Sequence, residues 1–312
     1  MKAKPFLKWA GGKSQLLAQL DAFYPPELRE GKIIKYAEPF LGGGSVFFEV
    51  MQTCDIRLAY LSDTNKELIL AYKVVQAKPL ALIERLGDLQ TRYDQTPRHA
   101  RQALFLEVRS RFNATRHRID HERFSDEWIS RAAELIFLNK TCFNGLFRLN
   151  RNGEFNVPFG DYERPKILDA ANLLAASRLL SKAELRVADY AECEAFADEQ
   201  TFVYLDPPYR PISRTSSFTT YAGETFDDDE QRRLAECFKR LTHKGAKVML
   251  SNSDPKNHDP NDDFFEKLYE GFNIQRVRAN RAINSVGSKR GAISELLILN
   301  YQDEPRFLAL NL

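Results

Sequence analysis

Seven short apolar runs with strand composition recur along the chain: Ile33-Ala37, Arg57-Leu61, Leu185-Ala188, Phe202-Leu205, Ala246-Ser251, Asn273-Arg278 and Glu295-Tyr301. Nothing else in the sequence limits the fold as tightly. Helical spacing of apolar residues fills most of the intervals, as in Ser45-Met51, Lys66-Val75 and Asp229-Leu241. Strands that alternate with helices predict an α/β fold, a parallel sheet covered on both faces. The last two runs have no convincing helix between them and predict a closing antiparallel hairpin.

The alternation fails between about Lys78 and Lys166. That stretch is rich in arginine and aromatic residues, with helical patterns at Ala100-Phe112 and Asp126-Leu138, and ends in the turn-rich passage KTCFNGLFRLNRNGEFNVPFGDYERP. Asn144-Gly145 and Asn152-Gly153 are tight-turn signals flanking Leu146-Asn150, which predicts a hairpin. The expectation is a mostly helical module at 78–166 with a protruding hairpin, inserted into an α/β domain formed by 1–77 and 167–312.

Three sites face a ligand. The first strand ends in Glu38-Pro39-Phe40-Leu41-Gly42-Gly43-Gly44-Ser45 and runs into a helix, an arrangement that lets a ligand approach backbone closely. The dinucleotide glycine pattern fails because Phe47 occupies its third glycine position. Asp63, at the end of the second strand, is placed to accept from the two hydroxyls of a ribose. Together these favour an adenosine-containing ligand without phosphates. The opening Gly11-Gly12-Lys13-Ser14 resembles a phosphate loop, but that loop needs glycine where Leu7 stands. Lys13 and Trp9 beside glycines suit a carboxylate and an aromatic or cationic group instead.

Asp206-Pro207-Pro208-Tyr209 follows the buried run Phe202-Leu205 and is the most informative of the three. Prolines fix φ and supply carbonyls without N–H groups, so the turn is rigid and rich in acceptors. An amino group on a heteroaromatic ring can donate to the Asp206 carboxylate and the Pro207 carbonyl while Tyr209 stacks on the ring. Its nitrogen lone pair is then drawn out of conjugation and aimed at an electrophile.

These residues resemble the Dam-type DNA adenine-N6 methyltransferases (class α, D12 family). The resemblance rests on FLKWAGGK at 6–13, EPFLGGGSVF at 38–47, Asp63, NGLFRLNRNGEFNVPFGDY at 144–162 and the Asp-Pro-Pro-Tyr turn at 206–209. It implies a Rossmann-like seven-stranded sheet, S-adenosylmethionine as methyl donor and a flipped adenine in double-stranded DNA as acceptor. Carried over position by position, Trp9 and Lys13 match residues around the methionine end and adenosine of the cofactor. Phe40, Gly42 and Ser45 match the glycine-motif wall, Asp63 the ribose ligand, and Asp206 the catalytic acid near the sulfonium. Asp189 is either a contact to the cofactor's adenine ring or a helix cap.

The resemblance also makes 78–166 the target-recognition domain and the rest the catalytic domain. Leu146 and Arg148 match positions that read base edges, and Lys8 one that approaches an outer guanine. Asn144, Asn156, Pro158 and Tyr162 lie in the same stretch, where Asn156 and Pro158 read as hairpin builders. The expected target is 5′-GATC-3′ with methylation of A. The polar loop Arg210-Phe226, with Phe218 and Tyr221, would order over the substrate strand. The sequence alone also admits a catalytically silent DNA-binding protein, or a methyltransferase acting on RNA or a protein amide.

Charge agrees with a polyanion partner. The net charge of +2 hides Arg98, Arg101, Arg109, Arg111, Arg116, Arg118 and Arg123 in one stretch, and Arg276, Arg278, Arg281, Lys289 and Arg290 in another. Both read as phosphate-binding segments, or as solvated faces. Cys54, Cys142, Cys193 and Cys237 are far apart, which argues against a metal site or a disulfide framework and for a reducing cytoplasm. No signal peptide or long apolar run is visible, so membrane spanning is not expected. The chain is expected to act as a monomer associated with the nucleoid through DNA, any cognate restriction endonuclease being a separate protein.

Overall fold

A computed structural model of the chain describes residues 2–210, 226–280 and 292–302. Two short helices, α1 (Leu17–Ala22) and α2 (Pro26–Arg29), lead into β1 (Lys35–Glu38), α3 (Ser45–Thr53) and β2 (Leu58–Asp63). Five helices follow: α4 (Lys66–Ala77), α5 (Pro79–Gln95), α6 (Arg101–Thr115), α7 (Glu127–Thr141) and α8 (Ala170–Leu180). Then come β3 (Ala183–Val187), β4 (Thr201–Leu205), α9 (Asp228–His243), β5 (Lys247–Ser253), α10 (Phe264–Leu268), β6 (Asn273–Asn280) and β7 (Ala292–Leu299).

All seven expected runs form strands, in one sheet of order β3-β2-β1-β4-β5-β7-β6. β1 pairs in parallel with β2 and β4, and β4 with β5. The closing β6–β7 hairpin is antiparallel as expected, with Val277 opposite Glu295, and β7 also pairs antiparallel with β5, Asn252 opposite Leu296. Parallel pairing brings the carboxyl ends of β1, β4 and β5 to one edge, where open α/β sheets take their ligands.

Contacts divide the chain into two compact units, Met1–Gly12 with Gly42–Phe48 and Ser62–Val187, and Lys13–Leu41 with Glu49–Leu61 and Ala188–Leu312. In the first, α7 packs against α4, α5 and α6 and buries residues on every side, including Trp128, Leu135, Phe137 and Leu138. Arg131 is also inside. It is tolerated there because Glu67 accepts from its guanidinium at 2.6 and 2.9 Å and the Phe112 ring lies 3.5 Å away. Asn65 starts α4 by accepting from the amides of Glu67 and Leu68, satisfying two orphan donors.

In the second unit, Val203, Leu205, Val248, Leu250, Leu296 and Ile298 of the sheet meet Leu234, Phe238 and Leu241 of α9 in one buried cluster. The acidic run at 227–230 is the start of that helix. Asp227 caps it through the amides of Asp229 and Glu230, and Asp228, Asp229 and Glu230 lie in the first turn, where negative charge complements the helix dipole. All four cysteines are free thiols. Among the described residues no helix is long and apolar enough to cross a membrane.

Candidate active site

β4 is buried along its whole length and delivers Asp206 to the carboxyl edge of the sheet. Pro207 and Pro208 end the strand because they carry no N–H to continue the ladder. Lys13 Nζ donates to Asp206 Oδ2 at 2.8 Å and lies 2.7 Å from Oδ1. The second approach is an ion-pair contact only. Oδ1 is buried and accepts no hydrogen bond among the described residues, although 19% of the Asp206 side chain remains exposed. Burial pushes the Asp206 carboxyl above the usual range, and Lys13 pulls it only part of the way back.

The same ammonium lies 4.8 Å from the centre of the Tyr209 ring. Tyr209 donates its hydroxyl to Glu295 Oε2 at 2.6 Å, so β7 fixes the far end of the ring. Burial, with Asp206 and Glu295 nearby, raises the phenol well above its ordinary value and keeps it a neutral donor. Lys13, Asp206 and Tyr209 thus converge, with one carboxylate oxygen in ion-pair contact with the ammonium but accepting no hydrogen bond among the described residues. In the same unit Phe40 stacks on Tyr190 at 5.1 Å and meets Phe226 edge-on at 5.9 Å. Asp189 is a cap: it accepts from the Ala191 amide at 2.9 Å and pairs with Arg233.

The first unit brings Trp9, Gly42 and Asp63 together. Gly42 has φ of 47°, and its amide donates to Asp63 Oδ2 at 3.1 Å while Asn65 N donates to Oδ1 at 2.9 Å. A carboxylate has about four acceptor sites, so two remain after these backbone bonds. Burial raises the Asp63 carboxyl and the two amides lower it, with a net shift upward. A Cβ at Gly42 would sit 2.9 Å from Trp9 Cδ1, and Trp9 in turn stacks on Phe147 at 5.6 Å. The glycine is therefore required twice, by its backbone angle and by the ring against it. Ser45 is buried at the start of α3. Phe47 is fully buried, so the third glycine position of a dinucleotide motif serves the core here.

The expected hairpin is present in this unit, held by isolated bridges Leu149↔Phe155 and Cys142↔Phe159 rather than a continuous ladder. Its turns have positive φ at Asn144, Gly145 and Gly153. Pro158 cannot donate, but its carbonyl accepts from Phe143 N at 2.9 Å. Arg148 is exposed and braced by Asn156, to whose Oδ1 it donates from Nε at 2.7 Å. Asn144 donates its amide to the Tyr162 hydroxyl at 3.0 Å, and Lys8 Nζ lies 4.8 Å from the Tyr162 ring centre. Leu146 is half-buried, and Phe143 is 52% exposed.

Asn139 escaped sequence reasoning. Its Oδ1 accepts from Lys8 N at 2.8 Å, and its Nδ2 donates to the carbonyls of Lys8 and Gly145, joining the N-terminal segment to the hairpin base. An amide among the buried apolar positions of α7 was the available signal. Glu295 escaped as well. It stands as a lone acid in a strand run, and its partner is 86 residues away.

Most of the arginine-rich stretch at 98–123 is occupied within the unit. Arg98 pairs with Asp161, Arg111 with Glu134 and Arg116 with Glu154, while Arg101 donates to the Glu163 carbonyl and Arg109 to that of Val157. In the other unit Arg276 is held by Asp254 and Glu266. These charges brace local structure, which narrows the expectation that both stretches serve phosphate. Residues 211–225, with Phe218 and Tyr221, and Arg281, Lys289 and Arg290 lie outside the described residues.

Residues 9–283 match the family described as D12 class N6 adenine-specific DNA methyltransferase. The chain is 47% identical over 302 residues to Type II methyltransferase M.MjaIII of Methanocaldococcus jannaschii, covering 96% of this chain and all of that one. It is 37% identical over 300 residues to Type II methyltransferase M1.LlaDCHI of Lactococcus lactis subsp. cremoris, covering 96% and 95%. To the DNA adenine methylase of Escherichia coli (strain K12) it is 32% identical over 298 residues, again covering 96% and 95%. A family match over nearly the whole chain, joined by relatives covered almost end to end, decides between the readings left open by the residues. The chain belongs to the D12 class of N6 adenine-specific DNA methyltransferases and is a DNA adenine methyltransferase.

Proposed function

We propose that this methyltransferase transfers the methyl group of S-adenosylmethionine to N6 of an adenine flipped out of duplex 5′-GATC-3′. The observation that carries the reading is Asp206 Oδ1 at the head of a rigid Pro-Pro-Tyr turn, buried in ion-pair contact with Lys13 yet accepting no hydrogen bond among the described residues. A buried polar atom is normally satisfied, and an aromatic amine supplies the missing N–H. The donor set also fits the cofactor. Asp63 keeps acceptor sites for two ribose hydroxyls, and Trp9, Lys13, Phe40, Gly42 and Ser45 are assigned to its remaining parts.

S-adenosylmethionine supplies an electrophilic methyl group on a sulfonium. The protein's share is orientation and charge. Asp206 Oδ1 and the Pro207 carbonyl accept the two N6–H bonds, which points the nitrogen lone pair away from the ring plane. Tyr209 stacks on the base, its rotation limited by the bond to Glu295. Alignment of this kind supplies much of the rate without a covalent enzyme intermediate. As positive charge grows on N6, the Asp206 carboxylate stabilises it in a site of low dielectric. The surplus N6 proton then passes to Asp206 Oδ1, whose raised affinity for a proton suits it to the task. Unstacking the adenine costs a few kcal/mol, offset by stacking in the pocket.

Recognition is assigned to the domain at 78–166. Arg148 uses Nε and one Nη2 hydrogen on Asn156, so the Nη1–Nη2 fork is left for guanine O6 and N7. Leu146 offers an apolar surface to a thymine methyl. Lys8, Asn144, Pro158 and Tyr162 frame that hairpin, and the exposed Phe143 ring is suited to stack on unpaired bases. The enzyme is proposed to act as a monomer in the cytoplasm, on the nucleoid. The relatives named type II methyltransferases support a setting in which any cognate endonuclease is a separate protein. Methylation-sensitive sequencing of DNA from cells expressing the chain tests the target. N6-methyladenine at GATC sites is the expected result, and a different consensus would overturn the assignment of Arg148 and Leu146.

A further inference from the structure

Gln231 and Asn252 are fully buried amides in the second unit, one in the first turn of α9 and the other near the end of β5. Asn252 Nδ2 donates to Gln231 Oε1 at 3.0 Å, and Gln231 Nε2 donates to the Pro208 carbonyl at 3.3 Å. Their orientations are not interchangeable. The Ser253 amide donates to Asn252 Oδ1 at 2.9 Å, which turns Asn252 Nδ2 toward Gln231. That donor fixes Gln231 Oε1 on its side and leaves Nε2 facing Pro208. Reversing either amide would set donor against donor or acceptor against acceptor in a buried place, where an unmet polar group is costly.

We infer that Gln231, oriented by Asn252, is a positioning residue that sets the geometry of the Asp206-Pro207-Pro208-Tyr209 turn. The inference rests on reading that turn as the methyl-transfer site. Both prolines have φ locked by their rings, so ψ is the soft dihedral left at each. A hydrogen bond on the Pro208 carbonyl holds ψ at Pro208 and with it the direction in which Tyr209 leaves the turn. On the other side of Tyr209 the backbone is held again. Ser253 Oγ donates to the Arg210 carbonyl at 3.4 Å, and the Arg210 side chain is clamped by Asp228 and Asp262. Consecutive residues at the end of β5, Asn252 and Ser253, therefore tie the turn to the strand beside β4. Sequence pattern hides this role, because Gln231 lies in a charged helical turn and Asn252 reads as a polar strand end.

The test uses the full chain with Gln231→Met, Asn252→Ala and the double variant, each checked by thermal melting and by S-adenosylmethionine binding. Single-turnover transfer should slow by about 10- to 100-fold in Gln231→Met, the scale of a displacement near 1 Å at a reacting group. KM values for DNA and cofactor should stay within about threefold, since Gln231 is fully buried behind the turn. A 2-aminopurine at the target position should still brighten on binding. Asn252→Ala should slow transfer in the same sense, and adding it to Gln231→Met should cost little more, because both act through one carbonyl. Gln231→Glu keeps the side chain's length and, when protonated, its donor, so it should recover more activity than the methionine variant. Unchanged transfer in a folded Gln231→Met protein, a loss confined to KM, or fully additive losses in the double variant would overturn the inference. Failure of the unsubstituted protein to methylate adenine would instead overturn the function on which it rests.

Discussion

Gly42→Ala perturbs the glycine turn at its tightest point. With φ of 47° an alanine pays the left-handed penalty of an L residue, about 1–2 kcal/mol. The added Cβ would lie 2.9 Å from Trp9 Cδ1, whereas carbon atoms prefer about 3.5–4.0 Å. The indole must withdraw by roughly 0.5–1 Å, and it is stacked on Phe147, a contact worth about 0.5–1.5 kcal/mol. The combined loss is about 1.5–3.5 kcal/mol. Gly31→Ala is the matched control, because its φ is 72° but a Cβ there meets nothing within 4 Å. It should show only the backbone penalty. Denaturant midpoints compare stability, and calorimetric titration with S-adenosylmethionine compares binding. Because the Gly42 amide also holds Asp63, cofactor affinity should fall about tenfold or more in Gly42→Ala, equivalent to about 1.4 kcal/mol, and stay unchanged in Gly31→Ala. Equal effects of the two substitutions on both measurements would refute the reasoning.

Lys13→Met removes the ammonium that acts against burial at Asp206, so the carboxyl should hold its proton to higher pH. In the proposed mechanism the transfer step needs the carboxylate, so activity should fall as pH drops through its pKa and the acid limb should move upward in this variant. Carbon-13 NMR of labelled aspartate reads the same shift if turnover becomes too slow, and an unmoved or lowered titration would contradict the pairing. Arg148→Ala should lose about 1–3 kcal/mol of discrimination at one guanine, measured over duplexes altered one base at a time. Asn156→Ala should relax the same position less, since it frees Arg148 without deleting it; an effect at a different base would separate the two residues.

Much of the sheet was legible because burial on both faces leaves continuous apolar runs, and Asn-Gly pairs announced the hairpin. Residues 79–95 were harder to read as α5: Pro79 and the internal Gly87 resemble punctuation, and the helix is defined by packing on α7 and α8. Convergence of Lys13 on Asp206 is a contact across 193 residues that no local pattern encodes, although each partner was singled out by chemistry. The arginine-rich stretch was misleading for the same reason. Its acids, Glu134, Glu154 and Asp161, are distant in sequence and adjacent in space. Gln231 and Asn252 carry no sequence signal beyond being polar, and only their burial marks them.

The role of Asp206 is tested most directly by single-turnover transfer of a labelled methyl group to a duplex with one GATC, followed by nucleoside analysis. The unsubstituted enzyme should place the label on N6 of that adenine. Asp206→Asn should be slower by about 10²–10³-fold or more while binding the duplex with unchanged affinity. Transfer by the asparagine variant within tenfold of the parent rate would show that the carboxylate at the end of β4 is not what stabilises the reacting amine.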